Sequence, residues 1–185
     1  KLSTLPTRQS LGEFFLIKSL LPGFDATGNN PNGAPNANNN DAHGTACAGI
    51  VAAVANNNIG ISGIAYNAKI IPVRIGYSNG LPLTDQNRTW VTNNNWIANG
   101  ITWAVQNGAD ILSNSWGGGS PSTAITNAIN YAVNSGRSGK GCTVLFSTGN
   151  FNTNVAYPAT LPNVIAVGAS SPCDQRKTPT SCDGE

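Results

Sequence analysis

The chain has 185 residues, a formal net charge of +2 and only 10% charged residues. This length fits a single domain with a sizeable core, so we predict one domain over residues 1–185. We also expect the protein to be a monomer. The small, scattered positive charge argues against a nucleic-acid partner and against a charged disordered tail. No apolar run is long enough to cross a bilayer, so we expect no membrane partner.

The number of cysteines bears on the cellular compartment of the protein. Four cysteines fit an exported protein with disulfides or a cytosolic protein with free thiols. Cys173 and Cys182 lie in a polar segment rich in Pro, Ser and Thr, and we predict that they form a disulfide closing a short surface loop. Cys47 is expected to be a small buried hydrophobe. A single histidine without any C-x-x-C spacing excludes the common kind of zinc site.

The first half of the chain alternates loops with short apolar segments. Residues 11–21 form an apolar patch that fits either a strand or a short helix, and residues 24–40 are predicted to be a long Gly/Pro/Asn loop. A helix is predicted over 43–55, followed by a buried strand over 69–75. Pro72 within that strand suggests a strand end or a bulge, and residues 76–87 are predicted to form another loop.

The second half shows clearer periodicity. Apolar residues at helical spacing predict a helix over 92–107, which Gly108 is placed to terminate. Ser120 is the expected N-cap of the next helix, with Pro121 at its first position and an end at Ser135. Buried strands are predicted over 110–116, 142–148 and 164–169.

Strands that alternate with helices indicate a parallel sheet. The predicted fold class is α/β, with a three-layer, mostly parallel, doubly wound sheet and helices on both faces. Ligands of such sheets bind at the carboxyl ends of the strands. The loops at those ends are residues 78–80, 115–119 and 147–152, so we expect them to share one cleft with the helix that begins at His43.

Two short stretches carry candidate chemistry. His43 is the only histidine of the chain, and an imidazole is the side chain whose ordinary pKa suits general acid–base catalysis near neutral pH. Asn150 follows a predicted strand and Gly149, where its amide is placed to stabilise an oxyanion. Taken alone, a single histidine or a turn asparagine is more often structural.

The context of both residues resembles the subtilisin-like serine proteases. HGTACAG followed by IVAA is similar to the histidine motif of that family, and Cys47 is similar to the form seen in its proteinase K and kexin branches. STGN followed by YPATLPNVIAVGA resembles the family's oxyanion-hole segment. SWGGGS resembles its S-x-G-G segment, which lines the substrate groove. The resemblance extends over residues 22–169 in the family's order and spacing.

The resemblance implies a secreted or extracellular serine endopeptidase that acts on polypeptides through an acyl-enzyme. It makes His43 the general base and Asn150 the oxyanion donor. The substrate-binding residues that it implies are Ser115, Trp116, Gly117, Ser147, Thr148, Gly149, Asn79 and Gly80, the last two on an edge that pairs with an extended peptide.

The resemblance also implies a structural calcium ion and no organic cofactor. The carbonyl groups of Val54, Ile59 and Ile61 and the side chain of Asn57 are the matching ligands. The carboxylate that the family contributes to this site has no clear counterpart here. A plain turn at residues 56–58 therefore remains open as the alternative.

Two of the three triad motifs are missing. Counting back about 32 residues from His43 reaches Leu11, where no D-T-G or D-S-G occurs, and no G-T-S occurs anywhere. Asp25 is a poor substitute because it follows Pro22-Gly23 rather than a buried strand, and the side chains of Asp41 and His43 are expected to diverge.

We therefore expect the core of a catalytic domain, incomplete at both ends and inactive alone. The alternative is a catalytically dead peptide-binding module. A nucleotide-binding α/β domain is disfavoured because no G-x-G-x-x-G or G-x-x-x-x-G-K turn is present.

Overall fold

A computed structural model describes residues 17, 19–36, 39, 41–81, 86–150, 153–178 and 180–182. The chain falls into two compact units, residues 1–100 and 101–185. The prediction of one domain over the whole chain stays a prediction. Most of the apolar patch predicted at 11–21 lies outside the described residues.

The first unit contains a parallel strand pair that joins distant parts of the chain. Strand β1 (Phe24–Asp25) pairs with β2 (Val73–Arg74) in the register Phe24↔Val73. The prediction of a loop throughout residues 24–40 was therefore wrong at its start. The strand predicted over 69–75 is shortened to two residues, because Pro72 has no N–H to donate to a ladder.

Helix α1 (His43–Ala52) begins where the sequence predicted and ends three residues earlier than 55. Ala53 has an extended backbone, with ψ of 141°, and its N–H still donates to the carbonyl of Gly49. The chain then turns back and passes close to the end of α1 at Gly63, where a Cβ would collide with the backbone nitrogen atoms of Ala52 and Ala53. This close approach ends the helix.

An antiparallel hairpin lies where a loop was predicted. Strand β3 (Gly76–Ser78) pairs with β4 (Trp90–Thr92), so the prediction of a loop over 76–87 was wrong for residues 76–78. The indole of Trp90 packs directly over Gly76, where any Cβ would collide with the ring. Thr92 ends β4 instead of beginning a helix, and its hydroxyl donates to the carbonyl of Ile75 (2.6 Å).

Helix α2 (Asn94–Gln106) follows the predicted periodicity. Its N-terminus is capped by Asn93, whose side-chain oxygen accepts the N–H of Trp96 (2.9 Å). Gly108 follows the helix with φ of +82°, a conformation that favours glycine and confirms the predicted termination. The apolar stripe of α2 is buried, at Ile97, Ile101, Ala104 and Val105.

The second unit is built on three parallel strands. Strands β5 (Ile111–Asn114), β6 (Thr143–Ser147) and β7 (Ile165–Val167) form a sheet in that order, each inside its predicted range. Helix α3 (Thr123–Gly139) connects β5 to β6 and packs on β6 through an apolar face centred on Ile129. Parallel strands joined through helices confirm the predicted α/β class.

The two ends of α3 differ in how well they were predicted. The helix begins at Thr123 after the extended residue Ser122, so Ser120 and Pro121 lie before it. The helical backbone breaks at Gly136, where ψ is 159°, and this confirms the predicted end near Ser135. Gly136 is required there because a Cβ would collide with the sulfur of Cys142.

The cysteines divide into one pair and two free thiols. Cys173 and Cys182 form a disulfide with a Cα–Cα distance of 6.6 Å, which confirms the predicted pairing. Cys142 is buried, whereas Cys47 is half-buried rather than fully buried as expected. Within the described residues, no helix is both long and apolar enough to cross a membrane.

The two free thiols should differ in reactivity. Burial raises the pKa of the Cys142 thiol; the nearby charge of Arg137 lowers it and that of Asp110 raises it, and the balance is upward. Its Sγ also donates to the carbonyl of Ala109 (3.0 Å). Because the thiolate is the nucleophile, we expect native Cys142 to react with iodoacetamide about tenfold or more slowly than Cys47.

Peptide mapping of the alkylated protein at pH 8 measures the two rates. In urea both cysteines should react at similar rates, which is the control. Equal rates in the native protein would contradict the prediction.

Candidate functional site

His43 is the first residue of α1, and its side chain is exposed. Its Nδ1 lies 4.0 Å from the Sγ of Cys47, one helical turn further on. Among the described residues, no carboxylate hydrogen-bonds the imidazole. The ring is therefore accessible at the start of a helix, with a thiol as its polar neighbour.

Asp41 lies two residues before His43 but does not act on the imidazole. Its carboxylate accepts the backbone N–H of Ser78, at 3.0 Å to one oxygen and 3.3 Å to the other. Arg88 Nη2 lies 3.4 Å from its Oδ1, and Arg74 Nη2 lies 4.0 Å from its Oδ2. The carboxylate is thus directed toward β2 and the hairpin.

Asp25 is also fully engaged. Its Oδ1 accepts the N–H (2.9 Å) and the hydroxyl (2.7 Å) of Thr27, and its Oδ2 pairs with Arg74 Nη1 (3.1 Å). Burial by itself raises the pKa of Asp25, but the hydrogen bonds from Thr27 and the bond and charge of Arg74 outweigh it. The pKa therefore lies below its ordinary value of 3.8. Asp25 holds β1 and β2 together.

Asn79 and Gly80, expected on a peptide-binding edge, lie at the end of β3. The Asn79 amide donates to the carbonyl of Asn87 (2.9 Å), and its N–H donates to the carbonyl of Thr89 (3.1 Å). Gly80 has φ of +81°. At Ser78 the N–H and the carbonyl are both bonded, to Asp41 and Asn39. The outer edge of β3 is therefore occupied at Ser78, and the peptide-binding role of Asn79 and Gly80 stays a prediction.

In the second unit, the predicted substrate-binding segments lie side by side after β5 and β6. Ser115, Trp116 and Gly117 follow β5, whereas Ser147 ends β6 and is followed by Thr148 and Gly149. The hydroxyl of Ser147 lies 3.5 Å from the carbonyl oxygen of Trp116. A cavity of 200 Å³ lies at this end of the sheet and is lined by Ser113, Asn114, Ser115, Leu145, Phe146, Ser147 and Val167.

Trp116 is held rigidly next to this cavity. Its indole packs edge-on against the ring of Phe146, with centroids 5.0 Å apart, and its N–H donates to the side-chain oxygen of Asn114 (3.1 Å). Asn114 in turn donates to the carbonyl of Leu145 on the neighbouring strand (3.1 Å). These contacts fix the segment that follows β5.

Asn150 lies where β6 leaves the sheet. It follows Gly149, whose φ of +102° turns the chain, and its side chain is exposed. Thr148 just before it still donates to the carbonyl of Val167 (3.0 Å). Among the described residues, none hydrogen-bonds the Asn150 amide. The strand end therefore presents that amide to solvent.

Tyr157 anchors the second unit's loops and was not anticipated from the sequence. Its hydroxyl donates to the carbonyl of Ser122 (3.0 Å), and its own carbonyl accepts the N–H of Gly118 (2.7 Å). It thereby links the segment after β5 to the start of α3. The sequence signal available was a large polar aromatic in an apolar stretch, Val155–Ala159.

The loop after α1 surrounds a small cavity. A volume of 270 Å³ is lined by Val54, Asn56, Asn57, Asn58, Ile59, Gly60, Ile61 and Ser62. The Oδ1 of Asn57 accepts the N–H of Ile59 (3.0 Å), and its Nδ2 is buried without a partner in the described chain. No group of three or more His, Cys, Asp or Glu side chains suited to a metal occurs within the described residues.

These oxygens nonetheless fit calcium by type. Among the described residues, none donates a hydrogen bond to the carbonyl oxygens of Val54, Ile59 and Ile61. Calcium binds backbone carbonyl and amide oxygens, and an amide oxygen that accepts one hydrogen bond has a second lone pair. The donor set is neutral, so any affinity should be modest.

The family of the chain follows from comparison with known proteins. Residues 22–183 match the subtilase family. The match covers most of the chain, and the chain therefore belongs to the subtilase family. This finding accords with the resemblance seen in the sequence and with the parallel strands of the structure.

Individual relatives match over shorter stretches. Proprotein convertase subtilisin/kexin type 6 of Rattus norvegicus is 52% identical over 54 residues, which are 28% of this chain and 6% of the relative. Thermitase of Thermoactinomyces vulgaris is 43% identical over 60 residues, 32% of this chain and 19% of thermitase. The extracellular basic protease of Dichelobacter nodosus is 58% identical over 33 residues, 18% of this chain and 6% of that protease. The matches thus span less than a fifth of each of these relatives.

A solved structure supports the fold. MycP1 with its N-terminal propeptide removed aligns with a TM-score of 0.62 at 21% sequence identity, over 89% of this chain and 56% of MycP1. At this identity the likeness concerns the fold alone. It supports the α/β, subtilisin-like architecture.

The lowered pKa of Asp25 predicts a specific pH dependence of stability. A carboxyl group with a lowered pKa in the folded state stabilises the fold above its unfolded pKa, and this contribution is lost as the pH falls through the folded pKa. We expect Asp25→Asn to lower the free energy of unfolding by about 1–3 kcal/mol at pH 7. The deficit should shrink progressively below pH 3.8.

Urea unfolding at several pH values measures the difference between variant and wild type. Asp110→Asn is the matched control, because Asp110 is 76% exposed and pairs with Arg137 only at the surface. A deficit for Asp25→Asn that stays constant from pH 7 to the acid limit would contradict the prediction.

Proposed function

We propose that these residues are the core of the catalytic domain of a serine endopeptidase that cleaves peptide bonds through an acyl-enzyme. The observation that carries the proposal is His43, the exposed first residue of α1, in a chain that matches the subtilase family from residue 22 to residue 183. An accessible imidazole suits proton transfer near neutral pH.

In the proposed reaction His43 is the general base. A serine hydroxyl attacks the peptide carbonyl while the imidazole takes its proton, and the imidazolium then protonates the leaving amine as the C–N bond breaks. The same imidazole next takes a proton from water, which attacks the ester. The C–O bond to the serine then breaks, which releases the carboxylic acid and returns the proton to the serine. The histidine-orienting aspartate is not assigned within the 185 residues, since Asp25 and Asp41 are bonded elsewhere. The serine is not assigned either, since no G-T-S occurs in the sequence.

The second unit supplies the proposed oxyanion donor and pocket. Asn150 donates its exposed amide to the carbonyl oxygen as negative charge develops on it. The segments Ser115–Gly117 and Ser147–Gly149 form the walls that hold the substrate side chain. Trp116, fixed by Phe146 and Asn114, gives one wall an apolar face.

The proposed setting is extracellular and the proposed substrate is polypeptide. The relative from Dichelobacter nodosus is described as an extracellular protease. The disulfide between Cys173 and Cys182 also fits an oxidising compartment. A monomer with no organic cofactor accounts for the proposed chemistry.

Asn150 gives the direct test. In the protein expressed from its complete reading frame, we expect Asn150→Ala to lower kcat by about 10²- to 10³-fold with little change in KM, a magnitude carried over from subtilisin. Asn154→Ala is the matched control, because Asn154 is an exposed asparagine in the same loop region. Steady-state hydrolysis of a chromogenic peptide measures both variants.

Three outcomes would contradict the proposal in different ways. Equal kcat for the two variants would remove the oxyanion role of Asn150. Casein hydrolysis by the 185 residues alone that vanishes in His43→Ala would overturn the expected inactivity of this stretch. Peptide binding without any turnover by the whole protein would favour the catalytically dead binding module.

We also propose that the loop after α1 holds a structural calcium ion. The supporting observation is its cavity, together with the carbonyl oxygens of Val54, Ile59 and Ile61 and the amide oxygen of Asn57. When bound, the ion would supply positive charge that draws these oxygens together. The loop directly follows α1, so the ion would stabilise the helix that carries His43.

Calcium should therefore raise the thermal stability of the protein. We expect Tm to rise in about 10 mM CaCl₂ relative to EDTA, and to rise much less in MgCl₂, which demands a tighter octahedral site. Asn57→Ala should reduce the calcium effect, whereas Asn67→Ala, an exposed asparagine in the next turn, should not. Scanning calorimetry makes the measurement, and identical Tm values in calcium and EDTA would exclude the site.

A further inference from the structure

Ser78 is a buried junction between the hairpin and the residues that precede α1. Only 2% of it is exposed, and all three of its polar groups bond to residues 39 and 41. Its N–H donates to the Asp41 carboxylate (3.0 Å), and its carbonyl accepts the Asn39 side-chain amide (2.6 Å). Its hydroxyl donates to the carbonyl of Asn39. Asn39 and Asp41 therefore occupy the side of β3 that β4 leaves open.

Asp41 also ends a chain of alternating charges. The carboxylate of Asp25 pairs with Arg74, Arg74 lies next to Asp41, and Asp41 pairs with Arg88. The four side chains are between 10% and 17% exposed. Charge-assisted hydrogen bonds are shorter and stronger than neutral ones, and screening by salt is weak where water is largely excluded. The Asp41 carboxylate is thus fixed from several directions.

The start of α1 has no local determinant of its own. Ala42 occupies the N-cap without any side-chain capping bond, and the first turn contains no acidic residue. Helices normally gain stability from a capping side chain at this position. With none here, the bonds of Asp41, two residues before His43, are the nearest restraint on where the helix begins.

We propose that Asp41 is a positioning residue for His43, which acts through the backbone of Ser78 and not through the imidazole. The carboxylate holds the start of α1 against β3, so the imidazole and the hairpin keep a fixed geometry. This inference rests on the proposed role of His43 as general base. A base must be held within about 0.5 Å of its productive position, and a displacement of about 1 Å reduces the rate by about 10²-fold.

The two halves of the interaction can be separated by substitution. Asp41→Asn keeps an oxygen that accepts the Ser78 N–H but removes the charge that faces Arg74 and Arg88. Asp41→Ala removes both. Asp110→Asn is the control, since it removes a carboxylate from an exposed ion pair in the other unit.

The imidazole itself gives the first measurement. The 185-residue chain has one histidine, so a ¹H–¹³C spectrum has one set of ring signals, which His43→Ala identifies. Well below Tm, we expect Asp41→Ala to shift and broaden these signals or double them, Asp41→Asn to do so less, and Asp110→Asn to leave them unchanged. A loss of global stability alone would lower Tm without changing the signals of the folded state. Unchanged signals in folded Asp41→Ala or Asp41→Asn would overturn the proposal.

Kinetics of the protein from the complete reading frame give the second measurement. We expect Asp41→Ala to lower kcat by about 10- to 100-fold and Asp41→Asn by less, with KM changed little in both. Wild-type kcat in both variants would overturn the proposal. If the ring signals respond while His43→Ala retains full activity, the positioning holds and the general-base role fails. If His43→Ala abolishes activity but neither Asp41 variant changes kcat, the general-base role of His43 holds and the positioning role of Asp41 fails.

Discussion

The first unit depends on the contacts that the guanidinium group of Arg74 makes. It bonds Asp25 at 3.1 Å, reaches to 4.0 Å from Asp41, and lies 5.3 Å from the centre of the Tyr77 ring. A planar fork with five donors can serve two carboxylates and an aromatic face at once, which a lysine ammonium could not. Through these contacts one side chain of β2 connects β1, the approach to α1 and β3. The strands β1 and β2 are only two residues long, so few backbone hydrogen bonds join them. The contacts of the Arg74 side chain therefore supply much of the stabilisation of this strand pair.

The second unit was largely predictable because its signals are local. The strands β5, β6 and β7 are short apolar runs bounded by Gly, Pro or Asn, and each falls inside its predicted range. Gly108 and Gly136 end their helices at the predicted positions. The start of α3 moved from the predicted Pro121 to Thr123, since serine and proline there also suit an extended lead into a helix. Such signals depend on neighbouring residues, and a sequence displays them directly.

The first unit resisted prediction because its structure depends on distant partners. Strands of two or three residues are too short for an alternating pattern to show, and β1 pairs with a segment 49 residues further along the chain. The sequence suggested that the Asp41 and His43 side chains diverge, but it could not show that the carboxylate bonds Ser78, 37 residues away. His43 itself was recognisable from its motif. The side chains that hold His43 in place were not recognisable, because the residues near Asp41 in the sequence do not indicate its bonding partners.

The histidine motif combines buried small residues with one exposed imidazole. Gly49 and Ala52 are buried, and Gly63 closes on the end of α1, so close packing explains these small residues, whereas Gly44 next to His43 is exposed and has open space around it. In the same way, Thr148 bonds Val167 and Gly149 turns the chain before Asn150. These residues would be needed whether or not the protein were catalytic. The exposed imidazole of His43 and the exposed amide of Asn150 differ, because within the described residues neither contributes a hydrogen bond that the fold requires. Because packing and backbone geometry account for Gly49, Ala52 and Gly149 but not for these two polar side chains, the roles proposed for His43 and Asn150 give a reason for their presence that the described fold alone does not.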